Sequence, residues 1–304
     1  MAAGRRIIKI DIGQKLSSIF NDFKEKELMS KHTTLCLGGP ADYFIEVKND
    51  EELILLLKII NEYEIPFYII GSGSNLLFCD EGFKGIIIKL VDEFEKVEVI
   101  DTTLVCGAGS NLTSVVKQSV EHSLSGLEHF IAIPGTVGGA VCGNAGLKDI
   151  WIDSVIDTIE IFSYQGKKKI LVKKEMDFEY RNSNLKNCII TKVKFVLKKA
   201  DKNGILNTVS QEIEKRKYSQ PLGTKNAGCI FKNPQSSAAG SLIDSLGLKN
   251  YSIGNIQISD VHANFFINKG FGSSNDMLLL INFVKEKIKD KFNIELKTEI
   301  KIIK

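Results

Sequence analysis

Cys229 stands in the stretch Asn226–Pro234, NAGCIFKNP, a lone thiol among small residues and just ahead of an aromatic, a lysine, an asparagine and a proline. A cysteine so placed can be a nucleophile, a metal ligand, a proton donor or a buried filler. A nucleophile needs a thiolate and an adjacent base, for which His262 and Asp244 are the partners at hand. A metal ligand needs further ligands at short spacing. The cysteines at 36, 79, 106, 142, 188 and 229 and the histidines at 32, 122, 129 and 262 form no CxxC, zinc-ribbon or HExxH pattern. No metal site is therefore expected, and the thiols are read as reduced and mostly buried. A proton donor needs only to keep its proton until the reacting atom takes it. A thiol, with an ordinary pKa of about 8.5, releases a proton far more readily than an alcohol.

Two other side chains are candidates for charge chemistry. Arg181, in FEYRNS, is one of only four arginines (with Arg5, Arg6 and Arg216) in a chain rich in lysine. A planar guanidinium kept where lysine is the habit suits two-point binding of a carboxylate, and a surface ion pair explains it as well. Glu299 lies in LKTEI, where Glu295, Lys297, Glu299 and Lys301 alternate with Leu296, Ile300 and Ile302. That alternation predicts a terminal strand with one solvated face.

Glycines form a third group. GSGSNL at Gly71–Leu76 returns as GAGSNL at Gly107–Leu112, each after an apolar run. A dinucleotide fingerprint requires a third glycine, where both copies carry leucine, and no P-loop lysine follows. A turn of Gly, Ser and Asn still presents consecutive backbone N–H groups, a cradle for a pyrophosphate; a plain tight turn is the alternative. IPGTVGGAVCGNAG, residues 133–146, is dense in glycine and alanine. That density costs backbone entropy and suits either close approach of a flat ligand or phosphate, or tight packing of a helix start.

These residues need elements to hold them. NDEELILLLKIINEYEIP predicts a helix capped by Asp50, with Leu53, Leu56, Leu57 and Ile60 as its apolar stripe and Pro66 beyond it. FYII, GIIIKL, TLVC and CIITKVKFVL read as strands, and VIDTIEIFSYQGKKKILV as a hairpin turning at Gln165–Gly166. Asn111 caps a helix over NLTSVVKQSVEHSL. KKADKNG at 198–204 reads as a linker. Beyond it come a helix ending before Pro221, a short helix stopped by Gly247, and a long helix over NDMLLLINFVKEKIKDKF. Helices and strands mix in both halves, so the fold class is α+β. The length of 304 residues favours two domains. The first is drawn over 1–203, in two lobes at about 20–65 and 66–203, and the second over 204–304.

A net charge of +3 supplies no footprint for nucleic acid or anionic membrane, and the lysines at 167–169 read as a solvated turn. No apolar run approaches the ~18 residues of a membrane span, and the N-terminal stretch has no signal-peptide core. A cytoplasmic enzyme with no obligatory protein partner is expected.

Taken in order, TTLCLGGPADYF, IIGSGSNLLF, GLEHFIAIPGTVGGAVCGNAG, YRNS, QPLGTKNAGCIFKNP and LKTEI resemble the UDP-N-acetylenolpyruvoylglucosamine reductase family over residues 20–304. The resemblance implies an FAD-binding region of the vanillyl-alcohol-oxidase type, a smaller substrate domain, NADPH as reductant and a UDP-sugar substrate reduced during peptidoglycan precursor synthesis. It implies FAD contacts at Gly71, Ser72, Gly73, Ser74, Asn75 and Leu76 and at Pro134, Gly135, Thr136, Gly138, Gly139 and Ala140. It implies catalytic roles for Arg181, Cys229 and Glu299, with Cys229 where the family usually has a serine proton donor. Tyr180, Arg216, Gln220, Lys232, Asn233 and Asn264 are the substrate-binding candidates. The short span from Arg181 to Cys229 leaves no room for the tyrosine-bearing loop of one subtype. The rivals are another FAD-dependent oxidoreductase of the same fold and, further off, a hydrolase built on Cys229.

Overall fold

The computed structural model describes residues 12–147, 150–235 and 237–304. The N-terminal residues 1–11, including Arg5 and Arg6, lie outside the described residues, so the reading of that stretch is not taken further.

The chain first builds a four-stranded sheet in the order Phe23–Leu28, Pro40–Val47, Phe83–Leu90, Phe67–Ile70. The first pair is antiparallel and the other two are parallel. Parallel neighbours need a crossover, and the helix Asp50–Glu62 supplies it between the second strand and Phe67–Ile70. Leu53, Leu56, Leu57, Ile59 and Ile60 are its buried face. Its cap is Asn49, not Asp50: Asn49 is extended and its side chain accepts from the Glu52 N–H, leaving Asp50, Glu51 and Glu52 in the first turn, where negative charge is favoured by the helix dipole. The lobe division drawn at 65/66 falls inside this sheet, because the strand after the crossover returns to pair beside Phe83–Leu90.

A five-stranded antiparallel sheet follows, in the order Lys168–Val172, Ile156–Ser163, Cys188–Val196, Thr103–Gly107, Val97–Ile100. Its hairpin turns through Gly166 at φ +78°. Lys168 bridges Asp50 and Glu160, and Lys169 pairs with Glu175. One large apolar cluster joins this sheet, the helices Asp50–Glu62 and Leu112–Glu121, and buried faces of the first sheet. The expected linker is not free chain: Lys198–Lys199 pairs with Leu124–Ser125, and Asp201 caps the helix Lys202–Ser219. That helix sits on the same cluster through Ile205 and Val209.

A second cluster gathers the helices Ala239–Ser245 and Ser274–Phe292 around the small sheet Ser252–Ile253, Ile256–Ile258, Phe266–Asn268. The terminal strand is shorter than its alternation predicts. Only Lys301–Ile303 is strand, and it pairs in parallel with Leu76–Phe78 beside the first glycine turn. Residues 294–300 instead run alongside Phe231 through a single bridge at Thr298.

The two halves are also tied at Asp80 and Ser274. The Asp80 N–H donates to Ser274 Oγ and the Ser274 N–H to Asp80 Oδ2, both at 2.8 Å. Ser274→Ala removes the acceptor of the Asp80 N–H. It is expected to cost about 0.5–1.5 kcal/mol, the net worth of one hydrogen bond, read as a lower urea midpoint; an unchanged midpoint would reject the tie. Among the described residues, no helix is long and apolar enough to cross a membrane.

Candidate active site

The residues around Cys229 are placed by three short stretches lying side by side. Cys229 bridges Phe265, the Ile230 N–H donates to Asn264 O at 2.8 Å, and the Glu299 N–H donates to Ile230 O at 2.8 Å. The Lys232 N–H reaches Lys297 O at 2.9 Å. The segment 229–232 is thus held between residues 264–265 and 297–299, which fixes Cys229 and Glu299 relative to each other.

Arg181 arrives from elsewhere. It occupies the turn of a hairpin pairing Phe178–Glu179 with Asn182–Ser183, at φ +53°. A left-handed conformation is uncommon for a side chain of this bulk. Its Nε lies 2.9 Å from Glu299 Oε1, an ion pair in which the N–H does not line up on the oxygen as a hydrogen bond. Its guanidinium faces the rings of Trp151 and Tyr180 at 5.5 and 5.8 Å. Lys232 Nζ donates to Arg181 O at 3.1 Å.

Burial governs the chemistry of this group. It pushes the Cys229 thiol up to about 12, and the Glu299 charge adds to the rise, while Arg181, Asn264 and Arg216 act against it. Cys229 therefore holds its proton at neutral pH. Burial also raises the Glu299 carboxyl, opposed by Arg181 and Lys232. A cysteine-nucleophile hydrolase needs the reverse, a thiolate beside a base. His262 is not free for that task, since its Nδ1 accepts the Asn264 N–H at 3.1 Å.

The other candidates separate by what holds them. Arg216 is buried; its Nη1 donates to Ala132 O at 2.6 Å and its Nε has no hydrogen-bond partner among the described residues. Asn264 is spent on the backbone, accepting from Phe231 N–H and donating to Phe231 O, so it frames Cys229 rather than standing open. Asn233 accepts from the Ala239 N–H, and its own N–H reaches the half-exposed Tyr180 hydroxyl at 3.4 Å. Gln220 lies apart from this cluster's bonds, lining a second cleft of about 480 Å³ with Lys217, Thr224 and Lys269.

Both glycine turns meet in one cleft of about 380 Å³, lined by Gly71 and Ser72 from the first copy, Gly109 and Asn111 from the second, Thr136, and His32–Thr34. The near-repetition of the two hexapeptides was the available signal for the second copy; Thr33 and Thr34 open the motif TTLCLGGPADYF, which gave them no stated role, and nothing marked out His32. A Cβ at Gly71 would come within 2.5 Å of Thr136 Oγ1. Ser74 Oγ donates to Pro134 O at 3.0 Å, joining the first turn to the glycine-rich stretch. In that stretch Thr136 caps a short helix, Val137–Cys142, and Gly138 packs on Ala108. Among the described residues, the N–H groups of Ser72, Gly73, Ser74 and Asn75 donate to no protein acceptor. Open donors on a glycine turn at a cleft fit the pyrophosphate of a dinucleotide. Asn75 then connects cradle to chemistry, its amide donating to Glu299 O at 3.4 Å and its carbonyl accepting from the Lys301 N–H.

Gly73 has φ +64°, and a Cβ there would run into the His32 carbonyl. Gly73→Ala is expected to strip the purified protein of most of its flavin, measured as the flavin-to-protein ratio; full loading would remove this turn from the cradle.

Residues 220–303 match the C-terminal domain of UDP-N-acetylenolpyruvoylglucosamine reductase, and residues 41–162 match an FAD-binding domain. The chain is 36% identical over 296 residues to UDP-N-acetylenolpyruvoylglucosamine reductase 2 of Symbiobacterium thermophilum, covering 96% of each. It is 38% identical to the reductase of Anoxybacillus flavithermus, covering 92% of this chain and 94% of that one. The chain belongs to the UDP-N-acetylenolpyruvoylglucosamine reductase family. The crystal structure of the family's Thermus caldophilus member superposes with a TM-score of 0.81 at 35% identity, covering 93% of this chain and all of that one. A glucose dehydrogenase, wild-type Phl p 4.0202, aligns with 64% of this chain and 45% of its own at a TM-score of 0.50 and 13% identity, a likeness of fold alone. Within the family's two-part organisation, the cradle residues belong to the FAD-binding stretch, and Cys229 and Glu299 to the C-terminal domain.

Proposed function

We infer that this chain reduces UDP-N-acetylenolpyruvoylglucosamine to UDP-N-acetylmuramate, an FAD-dependent step in peptidoglycan precursor synthesis, with NADPH as the reductant. Family membership at this coverage supports the reaction. The observation that supports the residue roles is the convergence of Arg181, Cys229 and Glu299, from three separate stretches, at one half-buried point tied to the glycine cradle through Asn75.

The turn Gly71–Leu76 and the stretch Pro134–Ala140 would hold FAD. When bound, it supplies the two-electron chemistry, taking hydride from NADPH and giving it to the enolpyruvyl double bond. Hydride addition to that bond spreads negative charge toward the substrate's carboxylate. Arg181 stands ready to offset it, half-buried beside Glu299. Glu299 holds the guanidinium in place through its ion pair, with burial raising its carboxyl against the pull of Arg181 and Lys232. Cys229 delivers a proton from sulfur to the carbon next to the carboxylate. The protonated thiol fits this role as it fits no nucleophilic one. Tyr180 and Asn233, bonded to each other, Lys232, bonded to the Arg181 carbonyl, and Arg216, Gln220 and Asn264 complete the proposed substrate contacts and framing.

The domain division is better drawn near residue 220 than at 204, supported by Ile205 and Val209 packing in the first cluster and by the start of the C-terminal match at 220. A cytoplasmic location and no obligatory partner complete the reading; six free thiols suit a reducing compartment, although only Cys79 and Cys106 are fully buried and Cys36 is exposed.

The purified protein should be yellow and should oxidise NADPH only when the UDP-linked enolpyruvyl sugar is present. Absence of turnover with that substrate rejects the assignment, and equal rates with NADH reject the preference for NADPH.

A further inference from the structure

We propose that Trp151 is a positioning residue, whose indole, seated against Gly146, orients the Arg181 guanidinium for the reaction. The proposal rests on the reductase reading and deepens it.

Arg181 has few directional restraints. Its Nε makes an ion pair but no hydrogen bond, and one carboxylate contact leaves the plane of the guanidinium free to turn. Two aromatic faces close that freedom. The Trp151 and Tyr180 rings stand at 90° to each other with centroids 5.6 Å apart, and both lie within 6 Å of the Arg181 Cζ. A guanidinium over an indole face is attracted by the ring's quadrupole, more strongly so when water is excluded.

The seat of the indole explains a residue that the flavin cradle does not. Gly146 closes the glycine-rich stretch, in a two-stranded ribbon where it pairs with Trp151. A Cβ at Gly146 would run into the indole ring and come within 2.6 Å of Ile150 O. Glycine at this position is what lets the indole lie where it does. The hairpin carrying Arg181 has its own anchors: Ser183 Oγ donates to Cys142 O at 2.7 Å and Asn144 Nδ2 to Glu179 O at 3.2 Å. Loss of the indole therefore frees the Arg181 side chain while the hairpin stays docked.

Trp151 is the single tryptophan of the chain, so its fluorescence reports this contact directly. The test uses FAD-loaded wild type, Trp151→Ala, Trp151→Phe, Arg181→Ala and the Trp151→Ala/Arg181→Ala double variant. Trp151→Ala is expected to lower kcat for the enolpyruvyl substrate about tenfold with little change in KM, in FAD content or in the rate of flavin reduction by NADPH. Trp151→Phe should restore most of that loss, because it returns an aromatic face. The double variant should be little slower than Arg181→Ala alone, since the indole acts chiefly through the arginine. Independently of turnover, Arg181→Ala should shift the tryptophan emission maximum of the holoenzyme. Additive losses in the double variant, no rescue by phenylalanine, or an unmoved emission maximum each overturn the proposal. A wild type that does not turn over overturns the reductase reading instead, which the emission comparison does not depend on.

Discussion

Cys229→Ala is expected to leave reduction of the flavin by NADPH at its wild-type rate and to slow reoxidation by the enolpyruvyl substrate by about 10²–10⁴-fold, the usual contribution of a positioned general acid. The reasoning is geometric first. The thiol lies in a segment fixed on both sides by backbone bonds, so its deletion removes one proton donor and little packing. Charge is no obstacle, because burial holds the group protonated, at about 12. Cys229→Ser should retain activity, since the hydroxyl occupies the same position with a proton to give. Rapid-mixing traces separate the two half-reactions. Normal turnover in the alanine variant would strip the thiol of its role.

The same raised value sets a sign for the pH dependence. A group whose pKa moves up keeps its proton to higher pH. Activity should therefore show no loss assignable to this thiol near about pH 8.5, where a free cysteine ionises. Alkylation of Cys229 should likewise fail to accelerate through that range. The nearby cations Arg181 and Arg216 pull the other way, yet desolvation outweighs them. A reactive thiolate at neutral pH would contradict this balance and revive the hydrolase.

Residue types alone did not single out the proposed site, and its assembly could not be read from them at all. Cys229, Arg181 and Glu299 were legible through their flanking motifs, and the first glycine turn through its composition. Glu299 was misframed as one face of a solvated strand. Alternation states which residues share a side, not which of them a neighbour covers; here Glu295, Lys297 and Lys301 are exposed, and Glu299 alone is half-covered, by its contact with Arg181. The cap at Asn49 was missed because Asn, Asp and Glu crowd one boundary, and only the backbone conformation selects among them. The linker at 198–204 was misread because polarity marks exposure, whereas the pairing of Lys198–Lys199 with Leu124–Ser125 depends on a distant partner. Trp151 carried no motif at all. Its only signals were its rarity and a glycine five positions earlier whose purpose appears once the ring is in place.

Arg181→Ala should be the more damaging of the two active-site deletions in its effect on pH behaviour, and comparable in rate. Loss of one preorganised group facing developing charge commonly costs about 10²–10³ in kcat. Glu299 then loses the neighbour that most opposes the effect of its burial. Its carboxyl, already raised, must rise further, so any limb of the kcat profile that follows its ionisation should move to higher pH. Arg181→Lys is not expected to rescue the rate: an ammonium lacks the planar fork and cannot lie against two rings in the same way. The measurement is kcat against pH for wild type, Arg181→Ala and Arg181→Lys at saturating substrate. A limb that stays put in Arg181→Ala would mean that Glu299 does not feel this arginine in the working enzyme. Full activity in Arg181→Lys would mean that a point charge suffices and the orientation of the guanidinium is irrelevant.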